Sequence, residues 1–127
     1  MTEFNAEWAL QAGGWDPRYA AVLVVASRGD IAAALIDTND DGADIDLDQY
    51  ARDADGHWSE GISGSAGDSG SSWSQRIVAI WGQGAPGATI EIEYNGHREL
   101  VVASATGWWL FIASATADSR LLPRQIG

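Results

Sequence analysis

The sequence predicts an all-β protein, an antiparallel β-sandwich (Ig-like) of about seven or eight short strands. Three observations predict it. Short apolar runs, several of them rich in β-branched residues, recur with turn signals about every 8–12 residues. Two segments alternate apolar and polar residues with period two. Asp-Gly, Asn-Gly and Thr-Gly pairs fall between the runs, where tight turns need them. Size and composition agree. The chain has 127 residues, which suits a single domain over 1–127, and 46% of them are hydrophobic, enough to build a core.

The elements follow in order. Residues 1–17 read as a mixed N-terminal arm. Phe4, Trp8 and Trp15 can tuck under a core there, and Gly13-Gly14 and Asp16-Pro17 act as breakers. YAAVLVVAS (19–27) and IAAALID (31–37), joined through Arg28-Gly29-Asp30, read as a hairpin, although the alanines would also allow helix. In ADIDLDQYARD (43–53), Ala43, Ile45 and Leu47 share one face. Asp44, Asp46 and Asp48 share the other, which predicts a strand with one wet face. Tyr50 is out of phase with Leu47, which predicts a bulge near Asp48 or Gln49. Asp55-Gly56 turns the chain and HWSEG (57–61) begins the return.

GISGSAGDSGSSWS (61–74) is nearly all Gly, Ser, Ala and Asp and reads as a flexible loop within the domain. RIVAIWG (76–82) reads as a buried strand and ATIEIEY (88–94) as an alternating one. Asn95-Gly96 supplies a two-residue turn, HRELVVASA (97–105) returns, Thr106-Gly107 turns again, and WWLFIAS (108–114) is apolar on both faces. Residues 115–127 read as a polar tail.

Gly84 to Ile112, GAPGATIEIEYNGHRELVVASATGWWLFI, is similar to the final strands of bacterial Ig-like domains. Gly87-Ala88, Asn95-Gly96 and Gly107-Trp108 carry the resemblance. It implies a sandwich and, through the family, adhesion or spacer duty. The whole chain also looks like small acidic proteins of high-GC bacteria.

Charge narrows the function classes. The formal net charge is −11, and all seven basic residues are arginine. Such a surface repels nucleic-acid phosphate and anionic lipid, which leaves cations or a basic protein as partners, or charge that serves solubility. There is no cysteine, so disulfides and thiolate chemistry are excluded. The first residues lack a basic and then apolar leader, and the longest apolar run is too short to span a bilayer, so the expected location is cytoplasmic.

The stretch IDTNDDGADIDLD (36–48) is the main candidate for a site. Asp37, Asn39 and Asp41 occupy positions one, three and five of a calcium loop. Gly42 sits at six, Ala43 offers a carbonyl at seven, and Asp48 sits at twelve. Against this, position eight is Asp44, position nine is Ile45, and the flanks are strands rather than helices. The other reading is turn chemistry followed by an acidic strand whose Asp44, Asp46 and Asp48 dock an arginine-rich partner, as an immunity-type protein or a nucleic-acid mimic would.

Trp58 and Trp73 flank the Gly/Ser stretch and are candidates for stacking on sugar rings, as in a carbohydrate-binding module; cover for the core is the alternative. GDSGS (67–71) has the letters of a protease nucleophile loop, with Ser69 in the key place and His57 as the one upstream base, but it lacks the rest of that setting. Arg28-Gly29-Asp30 is explained as a turn. His57 and His97, both beside turns, do not make a zinc site without cysteine. No complete catalytic set is present, so the expected role is non-enzymatic binding by hairpin 37–48, to calcium or to a basic protein.

Overall fold

The computed structural model describes residues 5–38, 44–73, 77–115 and 123–126. The fold is all-β and antiparallel, with ten strands and one short helix among the described residues. No described helix is long and apolar enough to cross a membrane. The chain divides into two compact units, Met1–Gly67 and Asp68–Gly127, where the sequence predicts one domain.

The first unit opens with helix α1, Ala6–Gly13, inside the segment expected to be an irregular arm. The Asn5 side chain caps it by accepting the Trp8 N–H at 3.0 Å. Gly14, at φ 72°, closes it in the left-handed conformation. The Gly13-Gly14 breaker is thus the end of a helix. A meander follows: β1 (Ala21–Arg28), β2 (Ile31–Asp37), β3 (Ile45–Arg52) and β4 (Trp58–Ser65), hydrogen-bonded in that order. The β1–β2 hairpin turns at Gly29-Asp30, with Gly29 at φ 62°, as the Arg-Gly-Asp reading expects.

One face of this sheet carries Ala32, Ala34, Ile36, Tyr50 and Trp58. Ala9 of the helix packs there, with Trp8, Leu10 and Trp15 at the margin. The alanines of β2 leave room for the larger groups. Asp48 pairs with Ala34 and Tyr50 with Ala32, so the acidic side of β3 is this helix-covered side. The wet face expected for Asp44, Asp46 and Asp48 is therefore graded. Asp44 is exposed, Asp46 is half-buried, and Asp48 is fully buried. Period two fixes which side chains share a face, but not what lies over them.

The bulge falls where expected, between Asp48 and Tyr50, and β4 holds the extra residue. Asp48 pairs with Ser63 and Tyr50 with Glu60, so Gly61 and Ile62 together oppose Gln49.

The second unit is a small sandwich. One sheet is ordered β5 (Gly70–Trp73), β6 (Ile77–Gln83), β9 (Trp108–Ser114). The other is ordered β10 (Arg124–Gln125), β7 (Thr89–Tyr94), β8 (His97–Val102). Val78, Trp109, Phe111 and Ala113 from the first meet Ile90, Ile92 and Tyr94 from the second in one core. Two parts of the sequence reading change. The stretch 61–74 holds the end of β4 and all of β5, so only 66–69 connects strands. Within the expected tail, Arg124 pairs with Glu93 on β7 and its guanidinium meets that carboxylate at 2.7 Å.

The turns expected at Asn95-Gly96 and at Thr106-Gly107 are present. Asn95 and Gly96 take φ 53° and 78°, the pair of positive angles a two-residue hairpin requires. Gly107, at φ 85°, lies against Gly84, whose carbonyl oxygen would stand 2.8 Å from an added Cβ. Gly82 pairs directly with Trp109, and the indole covers it so closely that a Cβ there would stand 2.8 Å from the ring. Gly82→Ala is therefore expected to cost about 1–3 kcal/mol through forced repacking. Gly64→Ala, which meets open space, should stay within about 0.5 kcal/mol of the parent. Urea unfolding midpoints of the two variants check this, and equal midpoints would mean the Trp109 ring moves aside freely.

Candidate functional site

Of the sequence-predicted calcium ligands, the two among the described residues, Asp37 and Asp48, do not converge. Asp37 pairs with Ile45 and so lies on the Ile45–Leu47–Gln49 face of the sheet; Asp48 lies on the opposite, helix-covered face. These two, at positions one and twelve of the expected loop, cannot hold one ion from opposite faces. Asn39, Asp41 and Ala43 lie outside the described residues. The neck of the hairpin is closed by Thr38, whose N–H and Oγ1 donate to the Asp44 carbonyl at 3.0 and 3.2 Å.

What the structure does assemble is an acidic network under the end of α1. Asp48 has 0% exposure. Its Oδ2 accepts the Trp15 indole N–H at 2.6 Å. The Tyr50 hydroxyl stands 3.3 Å from the same oxygen and 3.2 Å from the Ala9 carbonyl of the helix, so one hydroxyl proton faces two acceptors. Asp48 Oδ1 is buried and receives no N–H or hydroxyl proton among the described residues. The remaining group is Glu60, on the edge strand β4, which pairs with Tyr50 and so shares the Asp48 face, where each carboxyl acts on the other. Two carboxyl groups can bond only if one keeps a proton, since ionised carboxylates are acceptors alone.

The electrostatics agree. Burial pushes the Asp48 carboxyl up, against the downward pull of the Trp15 and Tyr50 hydrogen bonds. Glu60 is raised by its own partial burial and then by the charges of Asp48 and Asp46. Asp46 is raised by burial and by Asp44. Burial and the Asp48 charge push the Tyr50 hydroxyl well above the usual phenol range, so it stays protonated. None of these carboxyl groups is lowered by an arginine. Arg52, on the same strand, turns to Asp30 at 3.0 Å and lies over the Trp58 ring, 5.3 Å from its centre.

The other candidates stand as follows. Trp58 is buried in the core of the first unit, so it covers the core and offers no platform for a sugar. Trp73 ends β5 opposite Val78. His57 lies in an exposed turn with Asp53 and Asp55, three groups whose ligand atoms come within 4.8 Å of one another. Asp53 Oδ1 already accepts the backbone N–H of Asp55 and of His57, at 2.9 and 3.0 Å. Those bonds, that of His57 first, hold its carboxyl below the usual range, which is the chemistry of a turn. In the second unit a groove of ≈ 440 Å³ is lined by Ser71, Gln83, Gln125, Trp81 and Trp109, with no charged side chain. The indoles are only 6% and 2% exposed, too little area for a sugar ring to stack on.

Glu60 and the role of Trp15 were not legible beforehand. The signal was present in pieces: Tyr50 shares Asp48's period, and Asn5 and Gly14 bracket eight residues as helix caps do. The Trp15→Phe variant keeps a ring but loses the donor to Asp48, and is expected to cost about 1–3 kcal/mol. Gly13→Ala should also destabilise, although alanine is the better helix former by about 1 kcal/mol. An added Cβ would stand 2.8 Å from the Trp15 indole and 3.0 Å from Glu60 Oε2. Denaturant unfolding at one fixed pH reads both effects, and a stabilised Gly13→Ala protein would contradict this packing. No protein-family model, curated protein or solved structure matches the chain, so the reading of this site rests on its own geometry.

Proposed function

We propose that the chain is a non-enzymatic binding module that recruits a basic protein segment on the acidic surface of β3 and β4. The observation that carries this reading is that Asp46 and Glu60 are both raised by burial and then by neighbouring carboxylates, with no arginine among the described residues lowering either. Asp44 and Glu60 are exposed and Asp46 half-buried, so their charge faces outward. Ser63 and Ser65, on the same edge strand, are exposed beside them and add hydroxyl groups. An arginine-rich segment suits this surface, because a guanidinium can bind a carboxylate through two parallel hydrogen bonds. A net charge of −11 would steer such a partner inward from a distance. Calcium is the weaker occupant, since Asp37 and Asp48 lie on opposite faces of the sheet.

The test is binding of a labelled arginine-rich peptide, compared with a Gly/Ser peptide of equal length, over a series of salt concentrations. Binding should weaken steadily as salt screens the surface. Asp44→Asn with Asp46→Asn should remove up to about 1 kcal/mol of affinity for each exposed charge lost at low salt. Unchanged binding in the double variant would move the partner elsewhere. A rise in Tm specific to calcium over magnesium would favour the metal reading instead.

A further inference from the structure

We propose that helix α1 is a proton-held latch: one proton shared between Asp48 and Glu60 keeps the helix and Trp15 seated on the sheet, and loss of that proton releases them. The inference stands on the hydrogen-bond inventory around Asp48 and does not depend on what the acidic surface binds.

The network offers three acceptor groups, the Asp48 carboxylate, the Glu60 carboxylate and the Ala9 carbonyl. It offers two donors, the Trp15 indole and the Tyr50 hydroxyl. With both carboxyl groups ionised, Asp48 Oδ1 is buried without a donor beside a second negative charge. One added proton resolves both problems. Glu60 donates to Asp48, Asp48 stays free to accept from Trp15, and Tyr50 can give its proton to the helix carbonyl. Glu60 is exposed, so the proton exchanges with solvent although Asp48 does not.

The latch holds α1 at its C-terminal end. Gly13 sits against both the Trp15 indole and Glu60, and Trp15 follows directly on the left-handed Gly14. When both carboxyl groups ionise, the repulsion and the unmet acceptor fall where the helix docks. Among the described residues, the groups that act on the pair lie on β3, β4 and the helix. Along β3 these are Tyr50 and Asp46, itself raised by Asp44; across on β4 there is Glu60. From β2 come only Ala32, Ala34 and Ile36. The helix contributes a carbonyl and the indole beyond its cap, while its one charged residue, Glu7, sits in the first turn. No arginine or histidine among the described residues offsets the pair.

The direction of the pH effect follows. Both carboxyl groups are raised in the folded chain, so the folded chain keeps a proton that the unfolded chain gives up near pH ~4. The stabilisation is complete below that pH and is lost as pH rises through the pair's folded value. Each unit of added proton affinity changes the latch equilibrium about tenfold.

Hydrogen exchange of the whole chain tests this, followed by mass spectrometry from about pH 4 to about pH 8 and corrected for intrinsic rates. Protection of residues 8–15 should fall with rising pH, while β6 and β9 of the second unit stay constant. In Glu60→Gln the amide donates to Asp48 at every pH, so helix protection should no longer change with pH. Flat protection in the parent protein, or a Glu60→Gln curve that falls with the parent's, would overturn the latch. A second reading needs no variant. Carboxyl ¹³C shifts of Asp48 and Glu60 should titrate together above the ordinary carboxylate range, and two independent ordinary titrations would overturn it equally.

Discussion

A carboxylate with no exposure is the constraint on which the first unit depends. Leaving Asp48 ionised and unpaired in that position would cost several kcal/mol. The surrounding structure supplies what the charge needs. The Trp15 indole N–H reaches Oδ2, the Tyr50 hydroxyl lies beside it, and Glu60 sits on the same face opposite Tyr50. Each of these requires something else of the chain. Trp15 is in place because α1 ends in a left-handed glycine, Gly14, just before it. The helix can lie close because β2 offers alanines at 32 and 34.

The bulge in β4 belongs to the same logic. Before it, β4 residues pair with β3 in the register Asp46–Ser65 and Asp48–Ser63; after it, Tyr50 meets Glu60 and Arg52 meets Trp58. Had the first register continued, Tyr50 would face Gly61, and Glu60 and Trp58 would lie on the other face of the sheet. A one-residue slip reverses the side of every later side chain. The extra residue therefore brings Glu60 beside Asp48 and Trp58 into the core under the helix. The local defect in pairing creates the network.

Much of the strand order could be read from the sequence, and the reasons are local. IAAALID, TIEIEY and WWLFIAS declare themselves through period or apolar runs, and Asn95-Gly96 declares its turn through backbone chemistry. The helix was hidden because it is eight residues long and its cap looks like a pair of breakers. The end of β4 and all of β5 (70–73) were hidden because serine and glycine carry little strand preference of their own; their partners in β3 and β6 supply it. The site was legible only in part. Asp44, Asp46 and Asp48 are identical letters at identical spacing, yet one is exposed, one half-buried and one buried. Nothing in the spacing separates them, because the difference is made by a helix more than thirty residues earlier in the chain.

The remaining charge must be balanced from outside the cluster. The arginines with resolved partners serve carboxylates away from it: Arg18 binds Asp16, Arg52 binds Asp30 and Arg124 binds Glu93. Of these, Arg52 is the one on the same strand as the cluster, and it is turned away and lies over Trp58. With no arginine among the described residues lowering these carboxyl groups, the repulsion can be reduced by binding a proton or by binding a positive partner. The two act at different depths. Asp48 is closed to any partner and can be eased only by a proton passed through Glu60, whereas Asp44 and Asp46 remain open to solvent and can meet a cationic group directly. Glu60 belongs to both sets. A cation drawn to Glu60 would favour its ionised form and so compete with the proton that Asp48 needs. If the proposed partner binds this surface and the proposed latch holds the helix, the two are coupled through one carboxyl group, and by linkage each weakens the other.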